Sequence, residues 1–422
     1  MNSKAKLKQI FVSGGYPEKT YIQREKIRAA LDNSIDTNRI IVVTGYTKSG
    51  KTVFIQNYLK GKKSLWVPAG EINDESEFWQ TMASLCGVDC ISEESQEYTE
   101  TSRMGAEVKG QTLFPFATTT IGGTISNGHE VKKKMSSTLD ASVKNRVLSF
   151  LHSNLNTVVV IDDFHYFNVD IKKNIIRSFK AIIQKGLNLV LIAIPNRGQE
   201  VVSIEKEMSG RKHNIEVVAW SIEDLSKIAH QGFECVGKDI DAESVRRMAN
   251  ESLGSPHLMQ DFCLQLSLRM IDNKEFDATM LCPQEEDLRA VFTDVAEKIG
   301  KPLFSQLAKG PKRSNSRKQR ILRDGVSTAD IYSVVARALA SLKPGMETIK
   351  YSTLMVQIKG ILSEDDKPPQ MFEVERVLMK MSEIAVADSA SNPIIDVDKE
   401  EERIYISDPY FAYYLKWGNC NF

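Results

Sequence analysis

The sequence has no net charge to offer a partner: its 422 residues carry 55 lysines and arginines against 55 aspartates and glutamates. Only a local cluster of basic residues could therefore point to nucleic acid. No apolar run approaches the roughly 20 residues that a membrane helix needs, so no membrane partner is expected. The opening residues, MNSKAKLKQIF, are basic but lack the apolar stretch of a secretion signal. The expected location is the cytoplasm. Cysteine is scarce, and its six positions (Cys86, Cys90, Cys235, Cys263, Cys282, Cys420) contain no C-x-x-C pair. That spacing argues against a zinc site and for reduced structural thiols. The chain is too long for one compact core, so two or three domains are expected.

What the sequence does contain is alternation of two kinds of segment. Ile40–Thr44, Ser64–Pro68, Thr157–Ile161, Leu187–Ile194 and Asn214–Trp220 read as short, buried strands. Between them, helical spacing runs from Gly50 to Leu59 and over Glu75–Cys86, Ser142–Leu155 and Ile171–Gln184, with a further helix to about Met208. The pattern predicts an α/β fold, a parallel sheet with helices on both faces, over residues 1–220. Residues 92–134 break the rhythm with Thr, Gly and alternating apolar positions around Asn127-Gly128. They read as an inserted β-hairpin, either a partner surface or a hairpin lying on its own domain. Residues 221–308 read as a helical lid, 309–328 as a basic linker, and 329–422 as helices closing on a hairpin, which suits a winged-helix-like domain.

The chemistry is concentrated at Gly45-Tyr46-Thr47-Lys48-Ser49-Gly50-Lys51-Thr52, which matches G-x-x-x-x-G-K-[ST] between a predicted strand and a predicted helix. Such a loop points backbone N–H groups at phosphate oxygens, and the helix N-terminus adds partial positive charge. Lys51 is expected on the β- and γ-phosphates and the Thr52 hydroxyl on Mg²⁺. The second motif is VVVIDDF at 158–164. Asp162 at the strand's carboxyl end is expected to hold the metal and Asp163 to orient the attacking water. A pair of acids at this place can also cap the next helix. ATP and Mg²⁺ are the expected ligands.

Together these motifs resemble the additional-strand class of P-loop ATPases. They resemble in particular the AAA+ and STAND branches and the archaeal and bacterial ATPases related to origin-recognition proteins. The resemblance implies further roles. Tyr21 and Arg24 in YIQRE, with Tyr16 and Pro17, would lie near the base. Asn196 in AIPNR would sense the γ-phosphate, and Arg211 would be the arginine finger, acting in cis or from a neighbouring copy in a homo-oligomer. Pro256 and His257 in GSPH would approach the nucleotide, although a lone histidine can equally be a structural hydrogen bonder. The Asp-Asp pair, where the AAA+ pattern has Asp-Glu, implies slow hydrolysis suited to a switch. The resemblance also implies a separate effector or protein partner and admits a role in antiphage defence. DNA contact through Arg313, Arg317, Lys318 and Arg320 is an alternative to a solvated connector. The aromatic ending ISDPYFAYYLKW is read as core rather than as a base-stacking surface.

Overall fold

A computed structural model describes residues 3–35, 40–88, 142–194, 212–312, 317–389, 394–398 and 401–420. Five strands, β1 (Ile40–Thr44), β2 (Ser64–Pro68), β3 (Val158–Asp162), β4 (Asn188–Ala193) and β5 (Lys212–Glu216), form one sheet in the order β2-β3-β4-β1-β5. Every pairing in it is parallel. β4 thus lies between β1, which leads into the glycine-bearing loop, and β3, which ends in the two acids. Because side chains alternate along a strand, β3 divides its valines and isoleucine between two cores. Val159 and Ile161 meet Phe78, Trp79, Val147, Phe179 and Ile183 on one face. Val158 and Val160 meet Ile27, Leu31, Phe54 and Ile55 on the other. Helices α3 (Lys51–Tyr58), α4 (Glu75–Cys86), α5 (142–153) and α6 (Val169–Lys185) carry these groups, with α2 (Glu25–Ile35) beside them. The α/β expectation holds. The segment 92–134 lies outside the described residues.

From Ser221 the described chain becomes mostly helical. Helices α7 (Ile222–Glu234), α8 (Ala242–Glu251), α9 (Pro256–Asp272) and α10 (Glu285–Lys309) are followed by α11 (Ile331–Leu342), α12 (Tyr351–Ile361) and α13 (Met371–Ser389). Short polar side chains start three of them in the usual way: Ser221, Asp241 and Asp330 each accept a backbone N–H three residues on. Strands Ile395–Asp398 and Arg403–Ile406 then pair antiparallel, and α14 (Pro409–Trp417) closes the chain. A single apolar core runs through all of these helices. It also takes in Leu7, Ile10 and Phe11 from α1 (Ser3–Ile10) and the turn after it, a helix that periodicity did not reveal.

The aromatic ending is core, as expected. Phe411, Tyr413 and Tyr414 are buried, and the Tyr413 hydroxyl donates to the Phe292 carbonyl at 2.9 Å. Residues 317–328, expected as part of a linker, instead contribute to a hairpin of Arg320–Ile321 with Thr328–Ala329, whose Arg323 N–H reaches the end of α12 and whose Arg320 lies beside Glu373 of α13. No described helix is long and apolar enough to cross a membrane.

Candidate functional site

β1 delivers the chain into a loop that two glycines make sterically feasible. A Cβ on Gly45 would stand 2.6 Å from the Val217 carbonyl oxygen, so nothing larger fits. Gly50 has φ +86°, the left-handed region that favours glycine. Lys48 is also left-handed at φ 58°, a conformation costly for lysine that tends to persist where a site needs it. Lys51 opens α3 and is 7% exposed. Its ammonium donates to the carbonyls of Gly45 at 2.9 Å and Tyr46 at 2.8 Å, which holds it in the mouth of the loop. Burial draws its pKa down to about 8, against the opposing pull of Asp163 and Asp162.

The acids lie directly beside it. The Thr52 hydroxyl reaches both oxygens of the Asp162 carboxylate, at 2.9 and 3.1 Å. Burial raises the Asp162 pKa, opposed by Thr52, by the Asp163 N–H and by Lys51. Asp163 sits at φ 53°, its N–H donating to Asp162 Oδ1 at 3.0 Å. Burial, and then the neighbouring Asp162 charge, push its carboxyl up to about 6. The helix-cap alternative fails for Asp163, whose side chain makes no capping bond to the turn Phe164–Tyr166. A hydroxyl and a carboxylate in contact are hard oxygen donors, and they fit a Mg²⁺ ion better than a soft metal. The buried, positively charged loop fits a polyphosphate.

A second wall comes from the helical half. The Trp220 indole donates to the Ser49 carbonyl at 2.9 Å, and His257 Nδ1 lies 3.0 Å from the Lys48 carbonyl. These bonds hold the loop's Ser49 and Lys48 carbonyls against the helical half. Burial lowers the His257 pKa to about 4, so it is a neutral donor to the loop rather than a cation near phosphate. Behind the loop lies a mainly apolar slot between the sheet and α9, lined by Pro17, Tyr21, Arg24, Gly50, Trp220 and Pro256 among others. Tyr16 stacks on Tyr21, centroids 6.1 Å apart. Arg24 is turned to structure: it donates to the Val218 carbonyl at 2.9 Å and lies 5.3 Å from the Trp220 ring. Trp220, expected as the end of a strand over Asn214–Trp220, lies beyond β5, which ends at Glu216, and its place beside the loop carries no sequence signal.

A third wall was not foreseen. Lys48 Nζ pairs with Asp408 Oδ2 at 2.6 Å and sits 3.6 Å from the Tyr410 ring centroid. The Thr47 hydroxyl donates to the Ser407 carbonyl at 3.1 Å. The last helix of the chain is thereby docked on the phosphate loop. Between them opens a cleft of about 810 Å³ whose lining includes Lys51, Thr52, Asp163 and Asp408.

Not every expected residue joins this site. Asn196 and Arg211 lie outside the described residues, as does Arg313. Of the other basic candidates, two are committed within the protein. Arg317 pairs with Asp330 at 2.5 Å and donates to the Pro311 carbonyl, and Arg320 is 6% exposed beside Asp366 and Glu373. Each guanidinium is engaged by carboxylates of its own chain instead of being presented to a nucleic-acid backbone. Lys318 is exposed.

No protein-family model matches the sequence, and no curated protein matches it. Among solved structures, the chain is similar to the Walker-type ATPase PABY2304 of Pyrococcus abyssi. That likeness has a TM-score of 0.52 at 15% identity and covers 94% of this chain and 96% of that one. The ORC1 protein of Aeropyrum pernix, solved in complex with DNA, covers 98% of this chain and 97% of its own at 13% identity, with a TM-score of 0.49. The RuvB Holliday junction branch migration motor of Thermotoga maritima gives 0.42 at 10% identity, over 91% and 92% of the two chains. At the level of fold, the resemblance to P-loop ATPases read from the motifs holds along almost the whole chain.

Proposed function

We propose that this chain is an ATP-binding, slowly hydrolysing molecular switch whose phosphate loop controls the position of its C-terminal region. One observation carries the reading: the Lys48–Asp408 ion pair, with Thr47 on Ser407, joins the loop to the start of α14. A triphosphate in the loop would bring several negative charges beside the Asp408 carboxylate. That repulsion weakens docking in the ATP state more than after phosphate release, and such a difference between states is what a nucleotide switch needs.

Lys51 would neutralise the phosphates, with Thr52 and Asp162 holding Mg²⁺, which when bound supplies charge neutralisation at the bond to be broken. Asp163 would orient a water for attack on the γ-phosphorus and take its proton as the bond to the ADP oxygen breaks. Its carboxyl lies closer to neutrality than an ordinary aspartate's, which suits a base of this kind. Asn196 as sensor, and Arg211 as a finger supplied by a second copy, complete the proposed machinery and imply a homo-oligomer. The helices 331–389 and the hairpin after them are proposed as the winged-helix-like output, acting on a separate protein partner. An antiphage setting is one in which such an output would serve.

The test is hydrogen exchange of residues 403–417 with and without nucleotide. ATP on the Asp163→Asn variant should speed exchange there, and Asp408→Ala should do so without nucleotide. ATP binding that leaves exchange unchanged would reduce the protein to a nucleotide-binding module. A second reading, a DNA-binding ATPase, is favoured by the exposed Lys312, Lys318 and Arg323 beside the C-terminal helices. It requires duplex affinity that falls with salt, with a slope made shallower by neutralising Lys318.

A further inference from the structure

The slot behind the phosphate loop is mostly apolar, yet it contains a polar chain whose hydrogen atoms can be assigned. The Ile10 carbonyl can only accept, so the Thr20 hydroxyl, 3.0 Å away, donates to it. The Thr20 oxygen is then an acceptor, and the group 2.7 Å from it on Gln260 must be the amide nitrogen. The rotation of the Gln260 amide is thereby set. Its Nε2 is committed, and its Oε1 is left buried with no hydrogen-bond partner. Gln260 is 3% exposed and Thr20 1% exposed, and both line the slot. A buried amide oxygen without a donor costs about 1–3 kcal/mol. Such a cost persists where a ligand satisfies the group. Gln260 belongs to α9, the helix that Pro256 opens against the loop, and it lines the slot together with Gly50 and Trp220.

We propose that Gln260 is the base-reading residue of the nucleotide site, its fixed Oε1 selecting a purine that carries an amino group at position 6 over one that carries an oxo group. Adenine offers an N–H donor there, whereas guanine and hypoxanthine offer an oxygen, which would set two acceptors against each other. The apolar walls suit the faces of a purine without distinguishing one purine from another, so discrimination falls on the few polar atoms present. This inference rests on the proposed nucleotide site and adds to it the class of base.

The experiment compares binding of ATP and inosine triphosphate, which differ in the 6-substituent and in the proton that N1 carries only in inosine, by calorimetry with Mg²⁺. The wild type should prefer ATP by about 10- to 100-fold. Gln260→Met, which removes the oxygen but keeps the length, should bring that ratio close to one, mainly by weakening ATP. Thr20→Val frees the amide to turn over and present its nitrogen, so it should strengthen inosine triphosphate relative to ATP. A residue that merely supports the wall would weaken both nucleotides alike and leave their ratio unchanged. Equal affinities in the wild type overturn the inference while leaving the nucleotide site standing, and need no variant to fold. If neither nucleotide binds, the proposed function itself falls.

Discussion

The two sides of the cleft are built on different principles. On the sheet side the site is made of two short contiguous segments: Gly45–Thr52 is uninterrupted, Asp162 and Asp163 are adjacent, and the Thr52–Asp162 contact joins the two. On the helical side, contacts span great lengths of chain. Trp220 reaches Ser49 across 171 residues and Asp408 reaches Lys48 across 360. The contrast teaches that the parts proposed to perform the chemistry are encoded locally, while the parts proposed to sense and transmit it are assembled only by folding.

Substitutions on the two sides should therefore fail in different ways. The largest effect is expected from Asp163→Asn, which should lower phosphate release by about 10²–10⁴-fold while ATP still binds; a turnover at the wild-type level would remove Asp163 from the chemistry. Next in size, Arg320→Ala should destabilise the fold by about 1–3 kcal/mol, since it removes a buried guanidinium that donates to the Lys367 carbonyl and lies beside Asp366 and Glu373. Lys318→Ala, two residues earlier but exposed, should stay within about 0.5 kcal/mol. Equal melting temperatures for the two variants would contradict the buried assignment of Arg320.

His257 provides a pH signature for the helical side. Its folded pKa is depressed to about 4 by burial, with Lys48 and Lys51 also opposing the charged form and Asp408 favouring it. The unfolded chain takes up a proton near pH 6.5 that the folded chain refuses, so stability is lost as pH falls from that value towards 4. At pH 5 the wild type should have lost about 2 kcal/mol that His257→Asn, which keeps a donor but cannot titrate, does not lose. Parallel stability profiles for the two proteins would mean that His257 is not held neutral. Smallest of the set, Trp220→Phe removes the indole donor to Ser49 and should weaken ATP by about 1 kcal/mol, read as a several-fold rise in Kd without loss of fold.

The same contrast explains what could be read from the chain beforehand. Strands β1, β3 and β4 were legible because each is a short apolar run buried on both faces, and the phosphate loop because its glycines and lysine lie in one segment. Helix α1 was not, since eight residues with a polar majority give little periodicity. Arg317 and Arg320 looked like a surface cluster because a sequence window shows charge but not the acids at 330, 366 and 373 that neutralise it. Asp408 caps α14. Nothing nearby in sequence indicates that its second oxygen serves a lysine at the other end of the chain.

That division of labour within a single carboxylate has a mechanical consequence. Oδ1 of Asp408 accepts the Phe411 N–H at 2.8 Å, and Oδ2 takes the Lys48 ammonium at 2.6 Å. The two bonds can break independently. Losing the lysine leaves the first turn of α14 still tied, and Tyr413 and Trp417 still anchor the far end through Phe292 and Glu251. Separation from the loop therefore needs only the Lys48 and Thr47 contacts to break, with the cap of α14 and its buried aromatic side left in place.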